Sequence, residues 1–493
     1  MPDVLLPQLN RRIACAAGEN LYKLLAREGL MEGPCGGKGV CGKCRVTIAG
    51  EERLSCLITV EEDVEVLLPK AATVSSIISD GYMKPFERQP QEGYGIAVDI
   101  GTTTVVAALY DLSDGRELRA LSCLNGQKAF GQDVISRIHY VMEEERGLEQ
   151  MRDTIAADLR SLTAQLLERE SIAPEQVRAM VVAGNTTMIH LLGGYDPASL
   201  ASAPYLPAFA GPLYLDSQKL GLPVRTTVDC LPAVASYVGG DITAGMIACG
   251  IDRQGPLTLL LDIGTNGEIV LAGQGGLYCC SCAAGPALEG MNISCGMRAA
   301  EGAIEAVSLE NGCVRCRTIG SAAPKGLCGS GLIAAIAALR KEGVIRPDGR
   351  FAGHPLVTRR EAGKCVMLDE EQEIYLSQKD VRQVQLAKGA ILSGILTLLE
   401  ASGHTPAEVE RVIVAGQFGA HLAAADLVGC GLLPDTWESI VTYAGNTSKS
   451  GAAICLLSPQ EARRSESLAQ DAHYIELSLR EGYEALFIRC LQF

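Results

Sequence analysis

GIAVDIGTTTVVAALYD, residues 95–111, is an apolar run broken by Asp99 and then by Gly101 and three threonines. It returns as LTLLLDIGTNGEIVLAG, residues 257–273, with Asp262 in the place of Asp99. Each copy reads as a strand, an Asp-x-Gly-Thr turn and a second strand, the pattern of a tight β-hairpin. A second pair follows, VVAGNTT (181–187) and VIVAGQFG (412–419), in which Ala183-Gly184 matches Ala415-Gly416. Two motifs that each occur twice predict a duplicated lobe with a cleft between the copies. Glycine in such a turn lets backbone N–H groups face an anion with no side chain intervening. The hairpins thus predict a phosphate clamp, with Gly101, Thr102, Thr103 and Thr104 in one jaw and Gly264, Thr265 and Asn266 in the other. Asp99 and Asp262 supply carboxylates of the kind Mg²⁺ takes through its retained waters.

Outward from these hairpins, 493 residues make about three domains at roughly 150 residues each. The pattern divides into an N-terminal unit (1–69), a linker rich in Pro, Gly and charge (70–93), a first lobe (94–250) and a second lobe (251–493). Helices are predicted over 133–142, 150–170, 331–342, 381–401 and 406–410. In the N-terminal unit Val4–Leu6 and Ile13-Ala14 read as paired strands, Asn20 as a helix cap ahead of Leu21, Leu24 and Leu25, and Val64, Val66 and Leu68 as an alternating strand. A balance of 43 Lys plus Arg against 58 Asp plus Glu gives −15, which argues against nucleic acid as partner. No secretory signal and no membrane span is readable, so a cytoplasmic protein with reduced thiols is expected.

The N-terminal unit carries Cys35-GGKGV-Cys41-GK-Cys44 and then Cys56. Three thiolates on one glycine-rich loop and a fourth arriving from a strand can surround a two-iron, two-sulfur cluster, with loop amides approaching the sulfurs. The spacing is close to that of adrenodoxin-like ferredoxins. A zinc site and unligated thiols are the alternatives; Cys56 lacks the near partner a zinc knuckle supplies. The other fifteen cysteines read mainly as small buried apolar groups, with Cys313 and Cys316 a possible redox pair.

Two phosphate hairpins followed by the glycine-rich 412–419 resemble the acetate kinase, sugar kinase, heat-shock ATPase and actin superfamily. With the ferredoxin-like unit in front, the chain resembles the reductive activators of corrinoid proteins. NGQKAFGQDVISRI (125–138), AAGPALEGMNIS (283–294), GLCGSGL (326–332), DVRQVQLAKGAI (380–391) and GNTSKSGA (445–452) fit that family as well. The resemblance implies an α/β and α+β multidomain chain: a β-grasp ferredoxin-like domain, then an actin-like ATPase of two ribonuclease-H-like lobes. It implies ATP and Mg²⁺ beside the cluster, and reduction of a Co(II) corrinoid methyl carrier to Co(I). It also implies an upstream electron donor, a homodimer and the anaerobic setting of a methyltransferase system.

By the same resemblance Gly416 and Gln417 would approach the adenosine, and Asp241 and Asp262 would be catalytic, Asp241 by orienting the attacking water. A helix-cap role is the alternative for Asp241. Ser281 is the candidate oxygen toward cobalt, or else a loop serine. Lys388 and Arg382 are candidates for the nucleotide's surroundings, or else for an exposed charged helix face. An activator ATPase of a radical dehydratase, and a small-molecule kinase or actin-like scaffold with a structural cluster, are the competing functions.

Overall fold

A computed structural model describes residues 2–9, 11–28, 30–31, 44–68, 81–360, 363–416 and 422–493. In the N-terminal unit, strand Asp3–Leu6 pairs antiparallel with Arg11–Ala14 and parallel with Val64–Glu65. The helix Leu21–Arg27 starts at Asn20, whose side chain accepts from the Lys23 N–H at 3.2 Å. Its Leu21, Leu24 and Leu25 are buried with Val4, Leu6, Val46, Val60 and Val66, so a small core of its own holds this unit. The third expected strand is shorter than its alternation suggested, since Val66 is buried beyond the end of Val64–Glu65.

The first lobe is a six-stranded sheet. Its elements in chain order are β1 (Tyr94–Ile100), β2 (Thr104–Asp111), β3 (Glu117–Leu124), α1 (Val134–Glu143), α2 (Gly147–Glu170), β4 (Val177–Gly184), α3 (Thr186–Gly193), β5 (Leu213–Asp216) and β6 (Thr227–Cys230). The strand order is β3-β2-β1-β4-β6-β5, with β1 antiparallel to β2 and parallel to β4. β1 is covered on both faces, which explains why it is apolar on both faces from Ile96 to Val98. Ile96, Val98 and Ile100 pack under Ile155, Leu159, Leu162 and Leu166 of α2, while Ala97 faces the other lobe.

The chain then crosses through α4 (Gly240–Cys249) into β7 (Thr258–Ile263), β8 (Gly267–Gly273) and β9 (Gly276–Cys282). Next come α5 (Gly329–Lys341), α6 (Gln378–Ser402), β10 (Arg411–Ala415), β11 (Val441–Gly445), α7 (Thr447–Leu457), α8 (Pro459–Asp471) and β12 (His473–Tyr474). The second sheet runs β11-β10-β7-β8-β9-β12, and two small three-stranded sheets are inserted between β9 and α6. Hairpin β7–β8 and parallel neighbour β10 repeat the relation of β1–β2 to β4. Between the two sheets lies a shared core in which α4 and α7 cross. A Cβ on Gly451 would stand 1.9 Å from the Ala244 carbonyl oxygen, so the crossing depends on glycine there.

Some expectations differ from the structure. Residues 406–410 form only a short 3₁₀ turn, Pro406–Glu408, behind Pro406. Described residues 81–93, expected as linker, are pinned to both lobes: Tyr82 N–H donates to Ala444, Lys84 N–H to Ala248 and Gln91 N–H to Leu112. The Lys84 ammonium also pairs with Glu461 of α8 at 2.7 Å. Cys313 and Cys316 are three apart on strand Cys313–Thr318 and so face opposite ways, Cys313 outward and Cys316 toward the Leu368 carbonyl. They form no redox pair. α6 is long and apolar enough to cross a bilayer, but its apolar window is mostly buried inside this protein, which is the mark of a core helix.

Candidate functional site

Both hairpins open onto one cleft of about 820 Å³ between the lobes. From the first lobe come Asp99, Gly101, Thr102, Thr103, Thr104 and Asn185; from the second, Asp262, Gly264, Thr265, Asn266, Glu268 and Gly416. The turns share a short backbone bond, Gly101 N–H to the Thr104 oxygen and Gly264 N–H to the Asn266 oxygen, both 2.9 Å. Their surroundings differ. Asn185, the cap of α3, donates to the Thr102 hydroxyl at 3.0 Å. The Thr265 hydroxyl instead donates to Glu289 at 2.8 Å.

Four carboxyl groups, Asp99, Asp241, Asp262 and Glu268, line the cleft near enough to feel one another's charge. Burial, then the neighbouring Asp262, pushes Asp241 up to about 7. Burial, then Asp99, does the same to Asp262. Glu268 is raised well above its ordinary range by burial and by Asp241 and Asp262. Burial raises Asp99 too, opposed by Asn446, which donates to one oxygen at 2.9 Å, and Ser448, which donates to the other at 2.8 Å. Those donors sit at the start of α7, so Asp99 of the first lobe is bonded to the second. Crowded carboxyls of raised pKa are a donor set that a divalent cation suits. Among the described residues no three His, Cys, Asp or Glu side chains close on one point, so an ion here would be held largely through water.

Asp241 lies in the first turn of α4, with Gly239 at the cap position, and its carboxylate accepts from the Ile242 N–H at 2.9 Å, so it serves the start of the helix without being the cap residue itself. Gly416 has φ +88, and a Cβ on it would lie 2.7 Å from the Asp262 carboxylate, so a side chain there would fill the cleft floor. Gln417 is outside the described residues. Ser281 stands on β9 and donates to Glu268 at 3.2 Å; it is a strand residue, not a loop serine. Lys388 is neither beside the cleft nor on an exposed face. It is 1% exposed within α6, donates to the Gln492 carbonyl and lies over the Phe493 ring. Burial lowers its pKa to about 8. Arg382 is exposed.

Of the four cluster candidates, Cys35 and Cys41 are outside the described residues. Cys44 and Cys56 are 1% and 7% exposed, and their Sγ atoms are 3.1 Å apart; Cys56 sits in the 3₁₀ turn Ser55–Leu57 just past strand Glu51–Leu54, not on a strand. Two thiols from distant positions turned onto one point fit joint ligation of one metal atom.

Sequence reasoning gave no role to Asn125, Arg137, Glu268, Asn446 or Ser448. All but Glu268 lie in segments already singled out (125–138 and 445–452), which was the only available signal. Glu268 reads in sequence as an ordinary polar position opposite Asp262, its cross-strand partner.

Comparison with known proteins matches residues 94–254 to the RACo middle region and residues 256–493 to the C-terminal domain of RACo, the ASKHA domain. The corrinoid activation enzyme RamQ of Eubacterium limosum is 38% identical over 412 residues, 80% of this chain and 69% of RamQ. The [Co(II) methylated amine-specific corrinoid protein] reductase of Methanosarcina barkeri is 27% identical over 396 residues, 72% of this chain and 68% of the reductase. A solved reductive activator for corrinoid, iron-sulfur protein superposes with a TM-score of 0.73 at 29% identity, covering 99% of this chain and 98% of that one.

Proposed function

The chain belongs to the RACo family, and from that membership we propose that it is an ATP-dependent reductive activator that returns a Co(II) corrinoid protein to Co(I). One electron leaves the N-terminal unit, cobalt gains it, and an upstream donor refills the unit. Plant-type clusters sit at about −400 mV, and a deficit of ~150 mV would cost roughly 3.5 kcal/mol. ATP hydrolysis offsets that deficit by shifting the two lobes between arrangements with different affinity for the partner.

The observation that carries this reading is Asp99, whose bonds to Asn446 and Ser448 tie the first phosphate hairpin to the opposite lobe. A change at the hairpin is thereby felt across the cleft. Gly101, Thr102, Thr103 and Thr104 bind phosphate from one side and Gly264, Thr265 and Asn266 from the other, with Gly416 and Gln417 against the adenosine. Asp241 orients the attacking water, and Asp262 with Asp99 would hold Mg²⁺. Cys35, Cys41, Cys44 and Cys56 would hold the two-iron cluster. The chemistry supplied by these groups when bound is neutralisation of phosphate charge and storage of one electron. Ser281 is the candidate oxygen toward cobalt. Action in the cytoplasm and association as a homodimer follow from the same family reading.

The test is ATP turnover by the anaerobic protein in the presence of candidate partners. Stimulation by a Co(II) corrinoid protein is expected. Stimulation by a sugar or carboxylate, with phosphate appearing on it, would instead make the protein a kinase.

A further inference from the structure

Segment 125–137 forms the wall behind the first hairpin, and it holds three consecutive carbonyls of that turn. The Gly101 oxygen accepts from Asn125 Nδ2 at 2.9 Å, the Thr102 oxygen from the Arg137 guanidinium, and the Thr103 oxygen from the Asn125 backbone N–H at 3.0 Å. A planar trans peptide that turns its carbonyl one way turns the next N–H the other. The Thr102 and Thr103 amides are therefore aimed away from the wall, and both residues line the cleft. Among the described residues no acceptor takes either N–H. Two adjacent unclaimed amides in a cleft suit an anion.

Arg137 is fully buried, and its guanidinium also donates to the Gly131 carbonyl at 2.9 Å and to Gln127 at 3.1 Å. Burial lowers its pKa to about 9, which still leaves a cation behind the turn near neutral pH. The second hairpin lacks an equivalent wall: among the described residues, the only one of its turn carbonyls held from outside the hairpin is that of Thr265, by the Gly285 N–H at 2.8 Å.

We infer that Asn125 and Arg137 are positioning residues that fix the Thr102 and Thr103 amides as a cradle for the terminal phosphates of the nucleotide. The inference rests on the nucleotide reading above and adds a division of labour between the hairpins. Its test is calorimetric titration of the full chain with adenosine, AMP and the non-hydrolysable AMPPNP, each with Mg²⁺. In Asn125→Ala, the advantage of AMPPNP over AMP shrinks about tenfold, as expected for losing one such bond, while adenosine affinity holds. If Asn125→Ala melts early, Arg137→Lys, which keeps the buried charge and loses the fork, is the variant to read. An unchanged AMPPNP-to-AMP ratio in a folded variant overturns the inference and leaves the nucleotide reading intact. A parent chain that binds none of the three overturns both.

Discussion

The two hairpins share the letters Asp-Ile-Gly-Thr but are held in different ways. In the first, every turn carbonyl from Gly101 to Thr103 is tethered and the Asp99 carboxylate is occupied by Asn446 and Ser448. In the second, no described residue donates to the Asp262 carboxylate, which faces Asp241 and Glu268 instead. A duplicated motif has thus diverged into a preset anion cradle with a cross-lobe latch on one side, and an open acidic face on the other. Duplication supplies the symmetry of the cleft, and the flanking segments decide what each half does in it.

The largest effect that would break this contrast is on chemistry. Asp262→Asn should lower ATP turnover by about 100-fold, in the range for losing one charge-stabilising group in a site, with no loss of melting temperature, since the neutral amide relieves the carboxyl crowding. An equal loss of stability in this variant would mean that Asp262 is a structural group too. Asp99→Ala should do the reverse in emphasis. It strands the Asn446 and Ser448 donors at a lobe junction, and a buried donor left alone costs about 1–3 kcal/mol, readable as a lower denaturant midpoint. A midpoint like that of the parent would remove the latch.

A smaller effect is on pH. Asp241 and Asp262 are held up to about 7 in the folded chain, against an unfolded value of about 4. The folded state therefore keeps protons that the unfolded state has released, and nucleotide-free stability should fall as pH rises from about 4 through about 7. Adding Mg²⁺ above that window should recover part of the loss, and Asp262→Asn should flatten the slope. Melting curves across that range, with and without Mg²⁺, give the answer; a flat parent profile would show that the floor carboxyls are not crowded.

Much of the fold was legible because the deciding signals are local. The hairpins and their parallel neighbours follow from apolar runs and turns, and the long helices begin within a few residues of the positions their periodicity gives, α2 at Gly147 and α6 at Gln378. Asn20 as a cap was legible for the same reason. Less legible were roles set by distant partners. Arg137 reaches Thr102 across 35 residues, and Asn446 reaches Asp99 across 347. Lys388 misled because charge in a helix normally marks the wet face, whereas here α6 is enclosed and the ammonium bonds the Gln492 carbonyl. Residues 81–93 looked like linker because an extended strap bonded to two lobes has no period of its own.

The most direct measurement is the Co(I) absorption band of a corrinoid protein mixed with this protein, chemically reduced and free of oxygen, with ATP supplied or withheld. The account predicts that the band rises with ATP and Mg²⁺, stays near background without them, and is lost in Cys56→Ser while ATP turnover continues. Equal cobalt reduction with nucleotide withheld, or undiminished reduction by Cys56→Ser, would contradict it.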